Sequence, residues 1–122
     1  MTRIIEIYSR LNALDEFLAL MLKQPDKYRE QAISERVAAL VEYVEHINAV
    51  MWRQQERGRL NDFDARYIQP AISEIWLCVH QELTGSDKPA HELAGCITEL
   101  ISLVSFYLAS IEDNNDKNRM LH

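Results

Sequence analysis

The stretch 2–23, TRIIEIYSRLNALDEFLALMLK, decides the fold class. Ile4, Ile7, Leu11, Leu14, Leu18 and Met21 recur in alternating steps of three and four. That spacing stacks them on one face of a helix, whereas a half-buried strand would need an apolar residue at every second position. Glu6, Arg10 and Glu16 fall on other faces, and Glu6 to Arg10 has the spacing of a favourable helical ion pair. Thr2 is a suitable N-cap. The helix should close at Gln24, because Pro25 disfavours helical geometry in the residue before it.

The same pattern returns three times. A second helix carries Val37, Leu40, Val44, Ile47 and Met51, with Ile33 upstream and Val41 and Trp52 widening the stripe. Pro25 suits its first turn and Gly58 its stop. The more polar 25–33 is expected either to join this helix or to form a short one of its own. A third helix carries Ile68, Ile72, Ile75, Val79 and Leu83. Phe63 and Tyr67 extend its apolar pattern upstream of Pro70, so a start near Asp62 with a bend at the proline is expected. In Thr84-Gly-Ser-Asp-Lys-Pro89, Gly85 reads as a helix C-cap glycine and Asp87 as the next N-cap. The fourth helix carries Ala90, Leu93, Ile97, Leu100, Val104, Tyr107 and Ile111.

Four amphipathic helices with short connections predict an all-α protein, an antiparallel up-down-up-down four-helix bundle. One domain is expected over 1–112, followed by a polar, disordered tail at 113–122. Composition agrees. The chain has 122 residues, 48% hydrophobic and 26% charged, with only 3 Gly and 3 Pro. That suffices for one buried core and leaves few residues for the turns of a sandwich or barrel.

The formal net charge is −6, which argues against nucleic acid as the main partner, since phosphate neutralisation supplies most of that affinity. Trp52, Arg53, Arg57, Arg59 and Arg66 form the densest basic cluster and are a candidate patch for an anionic partner. Cations at a helix C-terminus also complement its dipole, which is the plainer account of them. Cys78 and Cys96 lie among apolar neighbours and read as small buried hydrophobes. The longest uninterrupted apolar run is Phe17 to Leu22, well short of a membrane span, and no signal-peptide pattern opens the chain. The expectation is a cytoplasmic protein without a membrane partner.

No catalytic set, metal site or cofactor is assigned. None of the four histidines has a glutamate three positions before it, as the di-metal sites of helical bundles require. Cys78, His80, His91 and Cys96 look zinc-like by type only. Residues two apart on a helix point about 200° apart, and residues five apart diverge by about 140°. There is no nucleophile elbow or phosphate-binding glycine loop. Gly95 interrupts the fourth helix at a cost of about 1 kcal/mol against Ala, which suggests close approach by another helix.

Glu42-Tyr-Val-Glu45 resembles the E-x-x-E motif of the all-α nucleoside-triphosphate pyrophosphatases of the MazG type. Glu92-Leu-Ala-Gly95 is similar to their later E-x-x-D, with Gly95 in the aspartate's place. The resemblance spans about thirty residues and implies magnesium held by Glu42, Glu45 and Glu92. It is the alternative to the main expectation, a non-catalytic interaction or regulatory protein.

Phe17, Leu20, Leu103 and Phe106 lie off the main stripes of their helices. They are expected to stay exposed and to form the interface of a homodimer or with another protein. Circular dichroism should be dominated by helix, well above the roughly one third of residues typical of globular domains. Substantial strand signal would refute this reading.

Overall fold

The computed structural model describes residues 2–24, 30–84 and 88–120, with the backbone alone described at 30–32 and 116–120. It contains α1 (Thr2–Lys23), α2 (Glu30–Glu56), a π-helical turn (Asp64–Ile68) running into α3 (Gln69–Leu83), and α4 (Ala90–Met120). No strand occurs among the described residues. The helices alternate in direction. Arg3 reaches Met51, Glu6 reaches Tyr43 and Phe17 reaches Arg36, so α1 and α2 are antiparallel. α1 packs most extensively on α4 and α2 on α3, and the α1–α2 and α3–α4 contacts close the ring.

Most of the stripes read from the sequence form the core, with Leu83, Ala90 and Tyr107 only half-buried at its edge and Trp52, expected to widen the α2 stripe, exposed. Ile4, Ile7, Leu11, Leu18, Val44, Ile72, Ile75, Val79, Ile97 and Val104 are fully shielded. Each such side chain contributes about 1.5–3 kcal/mol by leaving water. Between α2 and α3 the packing includes one polar contact, Ser73 Oγ donating to Asn48 Oδ1 at 3.1 Å.

Several helix boundaries carry their own chemistry. α2 ends in a Schellman turn. Arg59 N–H bonds to Gln54 O at 2.8 Å, Gly58 N–H bonds to Gln55 O at 3.0 Å, and Gly58 takes φ +64°. The left-handed conformation is open to glycine without steric penalty, which explains the stop at this residue. The third helix begins at Asp62 as expected, with Asn61 Oδ1 accepting from Asp64 N–H at 2.7 Å. The bend expected at Pro70 takes the form of the π turn, in which Gln69 N–H bonds to Asp64 O, five residues back. Pro70 has no N–H, and in a regular α-helix its ring would crowd the Arg66 carbonyl. The wider turn relieves both problems. It also explains the five-residue apolar step from Phe63 to Ile68.

Two boundaries differ from expectation, and a third takes one of its two alternatives. α2 includes 30–33, so that part of 25–33 is no separate helix, while Pro25 and 26–29 lie outside the described residues, as do Gly85 and Asp87. Thr2 already lies within α1. α4 does not stop near 112 but continues to Met120. There Asn114 Nδ2 donates to Ser110 O at 3.0 Å. A helix satisfies its own backbone, so a polar extension needs no apolar stripe to persist.

Replacing Gly58 with Ala should lower stability by about 1 kcal/mol, since the new Cβ is strained at positive φ. Ile97→Ala should cost about 2–5 kcal/mol by opening a cavity. Urea denaturation measures both, and a Gly58→Ala chain as stable as the parent would contradict the turn assignment.

Candidate functional site

The sequence offers three places to look: the acids and thiols, the arginine cluster, and the apolar residues outside the core stripes. The bundle treats them differently.

The acids and thiols do not assemble a metal centre. Among the described residues no three His, Cys, Asp or Glu side chains are grouped so that they could hold a metal ion. Glu42, Glu45 and Glu92 are therefore not brought onto one cation, and neither are Cys78, His80, His91 and Cys96. Glu42 instead lines a cleft of about 1000 Å³ where the end of α1 meets the start of α2, the end of α3 and the start of α4. Met21, Val37, Val41 and Leu93 form its apolar part, and Lys88 also lines it. Lys88 Nζ donates to Glu82 O at 2.8 Å and to Cys96 Sγ at 3.3 Å, with Glu82 Oε2 at 3.5 Å. The bond to Cys96 is the main reason the Lys88 ammonium is held above its usual range. Cys78 and Cys96 are both free and half-buried. Burial, then Glu74 and Glu82, push the Cys78 thiol up, so it is a weak nucleophile.

Between α1 and α2 the expected Glu6–Arg10 pair is bridged through Tyr43. The hydroxyl of Tyr43 donates to Glu6 Oε2 at 2.5 Å, while the Arg10 guanidinium stacks 3.6 Å from the ring centroid. Burial first, and then Glu6, raise the Tyr43 pKa. Tyr107 on α4 is raised likewise by burial and by Glu74 and Cys78 across on α3. These are contacts between helices.

The arginine cluster partly converges. The Schellman turn folds Arg59 back towards the last turns of α2, so that Arg53, Arg57 and Arg59 line a small cleft of about 180 Å³ with Val50 and Gln54. Arg66 and Trp52 do not line it. Trp52 stands 47% exposed. The carbonyl end of α2 offsets the repulsion among these cations.

The four apolar candidates separate into two kinds. Phe17 is half-buried beneath Arg36, whose guanidinium lies 4.0 Å from the ring centroid, so it does not remain exposed as expected. Arg36 covers it because a cation and its aliphatic stem can lie over an aromatic face. Leu103 is half-buried too. Leu20 is 49% exposed and Phe106, at 67%, is the most exposed large apolar side chain described.

Phe106 belongs to a second stripe of α4. Gly95, Thr98, Glu99, Ser102, Phe106 and Ala109 are all exposed and share the face opposite Leu93, Ile97, Leu100 and Val104. No helix of this bundle approaches Gly95 as expected: a Cβ built there meets nothing within 4 Å. Gly95 and Phe106 stand apart in the sequence, eleven positions from each other. Their common face was visible in the three–four spacing of small residues beside the core stripe. Among the described residues α4 alone is long and apolar enough by length and composition to cross a membrane: an 18-residue window within Ala90–Asn115 has mean hydropathy 1.6. Glu99 and scattered Ser and Thr break the apolar runs of this helix without removing its apolar average.

No protein-family model matches this chain, and no curated protein or solved structure matches it.

Cys78, Tyr43 and Tyr107 each bind their proton more tightly folded than unfolded. The folded state is therefore favoured below their ordinary values, 9.0 for the thiol and 10.0 for the phenols, and loses that margin as pH climbs through them. Urea midpoints should fall on the alkaline side of pH 9, and Glu6→Gln should reduce the part due to Tyr43. A midpoint that stays level to pH 11 would contradict this.

Proposed function

We propose that this chain is a non-catalytic interaction or regulatory protein, of the adaptor, inhibitor or small-subunit kind, that docks a protein through the outer face of α4. The observation that carries this reading is Phe106, 67% exposed on a face whose neighbours are small. Between Leu93 and Ile111 the sole formally charged side chain is Glu99. A solvated helix face normally carries many charges, and a nearly uncharged face bearing an exposed aromatic ring is the kind that partners cover. The separation of the candidate acids favours this reading over the pyrophosphatase one, since a magnesium site needs several oxygens at one point. The Arg53–Arg57–Arg59 cleft is a second contact point suited to an acidic group on a partner. The net charge of −6 keeps nucleic acid outside this proposal.

A photo-crosslinking residue placed at Phe106 in living cells tests the reading. Covalent protein adducts are expected there and not at Leu77, which is 54% exposed but lies on α3. No adduct at position 106, or equal yields at both positions, would overturn it.

A further inference from the structure

We infer that the occupant of this face is a second copy of the chain, with α4 packed antiparallel against α4 about a two-fold axis near Ser102. The inference rests on the reading of the α4 face as a docking surface and adds its partner. The first argument is Gly95. A glycine inside a helix costs about 1 kcal/mol against alanine, and nothing in this protomer needs the missing side chain, because a Cβ there would meet open space. The space has a use only if something outside fills it.

Phe106 is the side chain that fits. In helix-on-helix packing a knob enters a hole formed by four residues of the facing helix at i, i+3, i+4 and i+7. Gly95, Thr98, Glu99 and Ser102 have that spacing and are all exposed. Two copies related by an axis near Ser102 place each Phe106 over the other's hole, so one mutual contact serves both knobs. Such an interface is isologous and closes on itself, as two-fold dimers do. Ala109 then faces Gly95 of the second copy, two small residues that permit close approach, and the half-buried Leu103 of each copy lies beside the axis.

Charge selects the antiparallel orientation. Side by side in parallel, Glu99 would face Glu99. Antiparallel, the two carboxylates stand about 9 Å apart along the axis, from the 1.5 Å rise per residue. The same register sets the exposed His91 of one copy level with Glu112 and Asp113 of the other, an attractive arrangement.

Light scattering on the full chain across the micromolar range should give a mass approaching twice 14.2 kDa. Gly95→Leu, which fills the hole, and Phe106→Ser, which removes the knob, should each weaken the dimer at least about a hundredfold. Both should keep the helical circular dichroism of the parent, since both sites lie outside the core. Orientation is read by mild oxidation. A mixture of Gly95→Cys and Ala109→Cys chains should form a mixed disulfide that neither forms with itself. A mass fixed at 14.2 kDa, a dimer that survives both Gly95→Leu and Phe106→Ser, or self-linked Gly95→Cys chains would overturn the inference. A chain that stays monomeric but sediments with lipid vesicles through the same face would overturn it in favour of a membrane. Photo-adducts at position 106 with a different protein would leave the docking reading standing and remove only the second copy.

Discussion

Mutual burial of branched aliphatic side chains is the constraint on which the rest of this bundle depends. Ile7, Leu11, Val44, Ile75, Ile97 and Val104 come from all four helices and are shielded almost completely from water. Most helical stability in proteins comes from packing an apolar face, so these helices depend on one another. The turns, caps and polar contacts described above then act on helices whose existence the core has already secured. With no buried side-chain polar atom left without a partner among the described residues, little opposes that burial.

Aliphatic stripes alone do not choose one register, because a shift by a helical turn still buries apolar surface. Here directional contacts narrow the choice. Tyr43 reaches Glu6 and stacks under Arg10, and Ser73 reaches Asn48. Sliding α1 along α2, or α2 along α3, by one turn would break these pairs. Each is worth about 0.5–1.5 kcal/mol as a hydrogen bond, small against the core but decisive between alternatives that bury equal areas.

The periodic part of the fold was legible in the sequence, because the 3.6-residue period is written directly in positions such as Leu93, Ile97, Leu100 and Val104. The stop at Gly58 was legible for the same local reason: the sequence names the one residue that takes positive φ freely. The non-local features were hidden. Nothing in residues 14–21 says that Arg36, on another helix, will lie over Phe17. The candidate face on α4 was half legible. Gly95 was conspicuous as a helix interruption, but only the bundle shows that no helix of this chain comes near it. The extension of α4 to Met120 was not legible, because beyond Ile111 the sequence carries no apolar period although the backbone remains helical.

The π turn at Asp64–Ile68 has a consequence for how this chain can vary in length. A regular helix does not tolerate the loss of one residue, because everything beyond it rotates by about 100°. The third helix already holds one residue more than its path requires, and Pro70 accounts for it. Deleting one residue here would restore the α-helical bond pattern and push the proline ring into the chain, at about 3 kcal/mol. Replacing Pro70 alone would leave the wide turn without its cause. Made together, the two changes should cost less than their sum, so insertion and proline behave as one inherited unit.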